Sequence, residues 1–414
     1  MAYLVIGIII LVYVVELGLA LLNNAQKNQP IPTIVSDIYD EDAYKNWRNY
    51  QAEVFKIQFS TRTLSVLLVV ALLLTGLFGL FEQISINLTS STVLQTLIFL
   101  GLFAGIFFVI NIPVKYYFQF VIEEKYGFNK TTIKTFVLDQ IKALILSVII
   151  LGGIIALLHY VYISFEDNIV SFIAIAWAIL MAVILIFSYL NTRVFVKIFN
   201  KLTPLDEGEL KTKIEALVDK IGFKVRGIYV MDASKRSTKL NAFFSGFGKN
   251  KEIVLFDTLI EKLEDEEILA VLAHEFGHAV HKDVARLLFQ QALVFGLFGV
   301  LIAFVLSWET LATTFGLSEM TFGFALIMVF ILASPLEFVL GIITNYLSRV
   351  AEYKADAFSA KYVDKSYMVN ALRKLAKENF SDLNPHSWFA FVYYSHPEMA
   401  LRLEAVSKIE GVKS

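Results

Sequence analysis

Seven stretches of this chain are apolar for about the length that a bilayer demands, and nothing else in the sequence constrains the fold so strongly. A helix crossing the hydrocarbon needs roughly 20 residues at about 1.5 Å each. The runs are Ala2–Leu22, Leu64–Phe81, Thr92–Ile122, Ile141–Tyr162, Ile169–Leu190, Leu287–Trp308 and Gly323–Leu347. With 57% hydrophobic and 18% charged residues and a mean hydropathy of +0.64, the chain is too apolar for a soluble globular protein. Lipid offers no hydrogen bonds to an open backbone, so spans must satisfy their own polar groups, as helices do. The expected class is an all-α multi-spanning membrane protein of about seven transmembrane helices. The first run lacks a basic leader, so it reads as a retained span rather than a signal peptide. The third contains Pro113, which predicts tilt or a kink.

The connections alternate in basic charge. The first holds Lys27, Lys45, Arg48, Lys56 and Arg62; the second, "EQISINLTSS", holds none. Lys125, Lys130 and Lys134 lie in the third, and the fourth, around "SFEDN", has none. The long fifth connection, 191–284, is rich in Lys and Arg, the sixth has neither, and the tail after Leu347 is basic again. Basic loops stay in the cytoplasm. The N-terminus is therefore expected outside, and the fifth connection and the tail inside. The membrane would be the inner membrane of a bacterium or the endoplasmic reticulum of a eukaryote.

Four regions follow: 1–190 with five spans, a polar segment 191–284, a two-span hairpin 285–347 and a second polar segment 348–414. Neither polar segment is long enough for a comfortable core, but together they reach an ordinary domain size. They are expected to pack together on the cytoplasmic side. A net charge of −2 gives no reason to expect nucleic acid as a partner; membrane lipid is the expected surrounding.

The fifth connection contains "LEDEEILAVLAHEFGHAVHKD". Asp265, Glu266 and Glu267 suit a helix N-terminus. Ile268, Leu269, Leu272, Phe276 and Ala279 recur at helical spacing. On such a helix His274 and His278 sit at i and i+4, pointing the same way, as H-E-x-x-H requires for one shared zinc ion. Glu275 lies beside the first histidine, where it can take a proton from water at the metal. Gly277 costs helix stability and predicts the close approach of another backbone. The chain has no cysteine, so zinc must be held by histidine and carboxylate.

A third ligand is needed. His281 lies about 10 Å along the axis from His274, too far for one ion. In "NYLSRVAEYKADAF", Glu352 and Asp356 share a face of a helix continuing from the seventh span. Glu352 would complete a His-His-Glu set, with Asp356 hydrogen-bonded to a ligating imidazole. The residues alone leave open a solvated face on which these carboxylates only pair with Arg349 or Lys354. "KEIVLFD", 251–257, alternates like a strand, and an exposed edge there would suit a peptide added as a further strand. Glu16 and Glu337 lie in apolar runs and fit an aqueous interior or a transport pathway equally well. His396 alone reads as a loop histidine, with Tyr393 and Tyr394 beside it as candidate phenol donors; His386 and His159 suggest nothing.

"HEFGH", "SRVAEYKADAF" and "SHPEMALRLEA", in that order, resemble the type I CAAX prenyl endopeptidases, integral-membrane zinc proteases. "LNAFFSGFGKNKEIVLFD" and "PIPTIVSDIYDEDAYKNWRNYQAE" are similar to that family's stretches before the zinc helix and after the first span. The resemblance implies seven helices around a water-filled intramembrane chamber, with a small α+β zincin-like domain at its cytoplasmic end. It implies one Zn2+ on His274, His278 and Glu352, Glu275 as general base, and His396 stabilising the oxyanion. Asp356 and Arg402 become supporting residues, and Asn241 and Phe243 fall along the substrate groove. The implied activity is removal of the last three residues of a prenylated CAAX protein. Two features depart from the pattern: "AVHKD" after His278, with Asp283, is more like the heat-shock membrane metalloproteases, and Pro397 is followed by Glu398. General proteolysis of membrane-anchored proteins is therefore the alternative substrate class. A transporter-like or scaffold protein with a degenerate metal site is the non-enzymatic one, and the intact H-E-x-x-H weighs against it.

Overall fold

The computed structural model, which describes residues 1–246 and 251–409, has seven helices long and apolar enough to cross a membrane, one at each apolar run. Residues 247–250, inside the stretch before the zinc helix, and 410–414, in the second polar segment, lie outside the described residues. The N-terminal region holds α1 (Ala2–Gln26), α2 (Glu41–Leu74), α3 (Leu77–Leu88), α4 (Thr92–Tyr117), α5 (Ile133–Ser164) and α6 (Ile169–Leu190), and all of these but α3 carry candidate spans. A short α7 (Val196–Phe199) leads into β1 (Leu202–Pro204), α8 (Glu209–Ile221), β2 (Gly227–Met231), β3 (Ala242–Ser245), β4 (Glu252–Phe256) and α9 (Asp257–Lys262). Then come α10 (Asp265–Val280), α11 (Asp283–Leu306), α12 (Glu309–Thr314), α13 (Phe322–Ser359), α14 (Lys365–Glu378), α15 (Ser387–Tyr393) and α16 (Met399–Lys408).

Two spans differ from the sequence expectation. The run Leu64–Phe81 is not one helix: α2 begins in the first connection and stops at Leu74, and Gly76, at φ 71°, turns the chain into α3. Only a residue without a Cβ takes that backbone cheaply. Pro113 is carried inside α4, whose continuation, 118–123, widens into a π-helix that repacks the backbone bonds.

The small sheet runs β1-β2-β4-β3, with β2 and β4 parallel and the other pairs antiparallel. "KEIVLFD" does form a strand, but β4 is bounded on both sides, and the edge falls to β3 instead. Every second side chain of a strand faces the same way. Ile253 and Leu255 thus join Ile214 and Leu217 of α8, Ile268, Leu272 and Phe276 of α10, and Phe358 of α13 in one core.

The first connection closes over this unit. Val35, Ile38, Tyr39 and Trp47 bury against Met368 and Leu372 of α14 and Leu403 of α16. The Tyr39 hydroxyl donates to Ala376 O at 2.9 Å and Trp47 Nε1 to Phe380 O at 3.2 Å. Among the spans, the most apolar stretch of α13 is 22% buried against at most 11% for each of the others. That makes α13 the central strut linking membrane and site.

Candidate active site

The zinc helix α10 starts on a capping box. Glu264 and Glu267 each accept from the other's backbone N–H, satisfying groups left open at a helix start. It ends where the sequence motif ends. Lys282, at φ 58°, breaks the helix, and α11 starts at Asp283. Between these limits His274 and His278 occupy one face, and their Nε2 atoms lie 3.2 Å apart.

The partner of that face is α13. A Cβ at Gly277 would come 2.9 Å from Ala355 Cα, so only glycine lets the two helices close to this separation. The close approach predicted from Gly277 is real, and it falls between Glu352 and Asp356. Glu352 Oε1 is 3.2 Å from His278 Nε2, and Glu352 Oε2 is 3.5 Å from His274 Nε2. His274, His278 and Glu352 can each offer one atom within 4.8 Å of the others.

Three observations test whether zinc fits. Donors at about 2.0–2.1 Å on a tetrahedral ion stand about 3.3 Å from one another; here the two Nε2 atoms are 3.2 Å apart, and each faces a different oxygen of Glu352, His278 facing Oε1 at 3.2 Å and His274 facing Oε2 at 3.5 Å. The donor set is imidazole and carboxylate, which zinc accepts. Glu352 Oε2 is buried without a hydrogen bond, with Arg402 Nη1 at ion-pair distance, 3.4 Å, and an ion at the two imidazoles would complete it. The residues fit the ion.

Around this face lies a set of orienting groups. Asp356 Oδ1 is 2.7 Å from His274 Nδ1, and Asp283 Oδ2 is 2.9 Å from His278 Nδ1. Each carboxylate fixes the ring nitrogen that the metal face does not use. Arg402, buried on α16, donates through Nε and Nη2 to the two oxygens of Asp356, both at 2.8 Å. The pairing with Arg349 or Lys354 left open by the residues is not formed by Arg349, which instead donates to Ala390 O and Tyr394 O. Burial works against charge on both imidazoles, but their carboxylate partners outweigh it. His274 is raised, and His278 is raised to about 9, with Glu352 and Asp283 as its hydrogen-bonding partners. Burial also raises the carboxyl of Glu275 above its ordinary range.

His396 reaches the same corner, with Nε2 3.4 Å from Glu352 Oε1. Tyr393 is held near the Glu16–Arg62 pair. His281 caps α10 and meets Phe358 edge-on, outside the three-donor group. Asn241 and Phe243 lie at β3: Phe243 meets Phe256, while its neighbour Phe244 packs on Phe276 of the zinc helix. The antiparallel ladder turns the polar groups of Asn241, Phe243 and Ser245 toward β4, since Phe256 N–H donates to Asn241 O. Those of Ala242 and Phe244 face the open edge. Asp283 had no role in the sequence reading. Its signal was there: a carboxylate five residues after His278, just past the helix, with Lys282 as the break.

Comparison with known proteins agrees along the whole chain. Residues 204–410 match the model of peptidase family M48, and residues 21–201 match the CAAX prenyl protease N-terminal model, described as five membrane helices. CAAX prenyl protease 1 of Saccharomyces cerevisiae is 32% identical, covering 92% of this chain and 90% of the yeast protein. The homolog of Oryza sativa is 32% identical over 99% and 98%, and that of Homo sapiens 32% over 92% and 89%. The crystal structure of S. mikatae Ste24p superposes with a TM-score of 0.92 at 29% identity, covering 98% of each chain.

Proposed function

The chain belongs to the CAAX prenyl protease 1 family of M48 peptidases, integral-membrane zinc metalloendopeptidases, and from that membership we propose that it removes the C-terminal tripeptide of prenylated CAAX proteins at the cytoplasmic face of its membrane. The observation that carries the reading is the His274–His278–Glu352 donor group, each offering an atom within 4.8 Å of the others, beside a buried Glu275 in a chain similar over 92% of its length to a CAAX prenyl protease.

In this proposal His274, His278 and Glu352 hold the ion. Zinc, when bound, supplies Lewis acidity at this corner. Asp356 and Asp283 keep the two imidazoles in the ligating tautomer, and Arg402 holds Asp356 in place. Glu275 takes the proton of the attacking water as its oxygen bonds to the scissile carbonyl carbon. The raised carboxyl retains that proton until the C–N bond breaks, then passes it to the departing amine. His396 donates a hydrogen bond to the carbonyl oxygen as negative charge gathers there. The open edge of β3, with Asn241 at its start, binds the peptide by strand addition; Phe243 supports that edge from the sheet face it shares with Phe256.

The site stands next to spans whose side chains are largely unburied, and a charged pair, Glu16–Arg62, joins α1 to α2. Both features suit helices lining a wet chamber, where a lipid-modified cysteine could lie near the bilayer while its tail reaches the metal.

The test uses purified full-length protein and two peptides identical except for a farnesyl group on cysteine, with Glu275→Gln as the blank. Tripeptide release from the farnesylated peptide alone supports the proposal. Equal cleavage of both peptides would replace it with general proteolysis of membrane proteins.

A further inference from the structure

About 45 Å of α13 separates Glu352 from Phe322, and around Phe322 lies a second cavity, of about 330 Å³, with no part in the peptidase chemistry. Its walls come from three connections that carry no lysine or arginine. They bring Glu82 of α3, Glu166 after α5 and Glu319 before α13 to one place, and no lysine or arginine lines the cavity. Glu82 is buried and fixed, accepting from the backbone N–H and the hydroxyl of Ser318, both at 2.8 Å. Glu166 and Glu319 are exposed.

His159 also lines this cavity. It is 5% exposed and stacked on Phe322 at 4.9 Å, with Tyr162 on the same ring at 5.3 Å. Its Nδ1 is buried without a hydrogen-bond partner. Such an orphan is rare in a folded protein and calls for a ligand group that completes it.

We propose that this cavity binds a primary ammonium group. Carboxylates without a lysine or arginine neighbour select a cation, and the faces of Phe322 and Tyr162 attract its charge. A primary ammonium has three N–H donors, enough for a carboxylate and for His159 Nδ1 together. A quaternary ammonium would leave that nitrogen unpaired. A divalent metal is not favoured: among the described residues, His274, His278 and Glu352 form the only group of three donors close enough to share one. The rim includes Ile86 and Ile163, 52% and 42% exposed at the ends of α3 and α5. An apolar rim at a span end admits the headgroup of a membrane amphiphile, so an aminophospholipid is the favoured source over a free amine.

The test uses the full-length zinc-loaded protein in phosphatidylcholine nanodiscs doped with phosphatidylethanolamine or its N-acetylated form, which has no ammonium. Native mass spectrometry reads retained lipid, and calorimetry reads binding of free ethylammonium. The proposal expects phosphatidylethanolamine to be retained at least 10-fold more than the N-acetylated lipid. It expects that preference to vanish in Glu166→Gln/Glu319→Gln, whose sites are exposed, and in His159→Phe. Peptidase activity should stay unchanged in the glutamine variant. Saturable ethylammonium binding that is lost in the same variants, without lipid preference, would support the ammonium site and assign it a soluble ligand. Equal retention of both lipids with no ethylammonium binding, or a preference untouched by the substitutions, would overturn it.

Discussion

Gly277 shows how much of the site turns on single atoms. A methyl group there would meet Ala355 Cα at 2.9 Å and push the Glu352 helix away from both histidines. Gly277→Ala is expected to destabilise the fold by about 1–3 kcal/mol, as overpacking does, and to lower zinc content; thermal unfolding with metal analysis on the same sample reads both. Asp283 works through His278 rather than on substrate. Asp283→Asn should weaken zinc binding about 10–100-fold, measured by chelator competition, with kcat of the zinc-saturated enzyme much less affected. The histidines also predict a pH dependence with opposite signs. His278 is raised from 6.5 to about 9 in the folded, zinc-free chain. The stability contributed by its carboxylate partners is therefore complete below pH 6.5 and is lost as pH rises through 9. Zinc must displace that proton, so apparent zinc affinity should instead rise across the same interval. Thermal unfolding of chelated protein and zinc titration over pH 6–9 check the two slopes. At this scale the H-E-x-x-H residues were legible because i and i+4 on one helix fix their own geometry. The pairing of Glu352 and Asp356 was a candidate that the family resemblance implied and the residues alone left open, because their partners lie on α10 and α16, far along the chain.

Among the elements, α13 does most to position the site. It enters at Thr321, passes through the membrane region with Pro335 inside it, and delivers Glu352 and Asp356 near its other end. The sheet is the second positioning element. "KEIVLFD" was legible as a strand from its alternation, but alternation says nothing about neighbours. β4 is interior because β2 pairs with it in parallel across an intervening connection. Peptide binding is therefore expected at the Ala242 and Phe244 edge. Ala242→Pro removes an outward N–H, which donates to Asn241 Oδ1 at 2.8 Å in this structure and would have to turn to the peptide, while leaving the ladder bonds to β4 in place. It should lower kcat/KM for a long peptide by about 10-fold, the scale of one lost hydrogen bond, with zinc content unchanged. Equal activity of the variant would move the substrate off this edge. The break between α2 and α3 was the least legible element, since an apolar run continues through Gly76 and only the backbone turn there divides it.

For the whole molecule, the basic-loop alternation predicts a sidedness that can be read directly. The chain has no cysteine, so single substitutions report cleanly. With the protein produced in the plasma membrane of a bacterial host, Ser90→Cys, beside α3, should react with a membrane-impermeant maleimide before the plasma membrane is opened, and Ser381→Cys, after α14, only once it is opened. Reversed labelling would invert the proposed orientation. The sequence by itself determined the seven spans, the zinc helix and its two histidines, because each depends on local composition or on spacing within one helix. Only the tertiary structure decided that Glu352 faces both histidines, that Asp283 meets His278 and Arg402 meets Asp356, and that the first connection packs on the unit through Tyr39 and Trp47. Those depend on which faces meet, and contacts between separate elements leave no period in a sequence. The acidic cavity at the other end is of the same kind: three unremarkable loops and one buried histidine acquire meaning only when the helices bring them to a single wall.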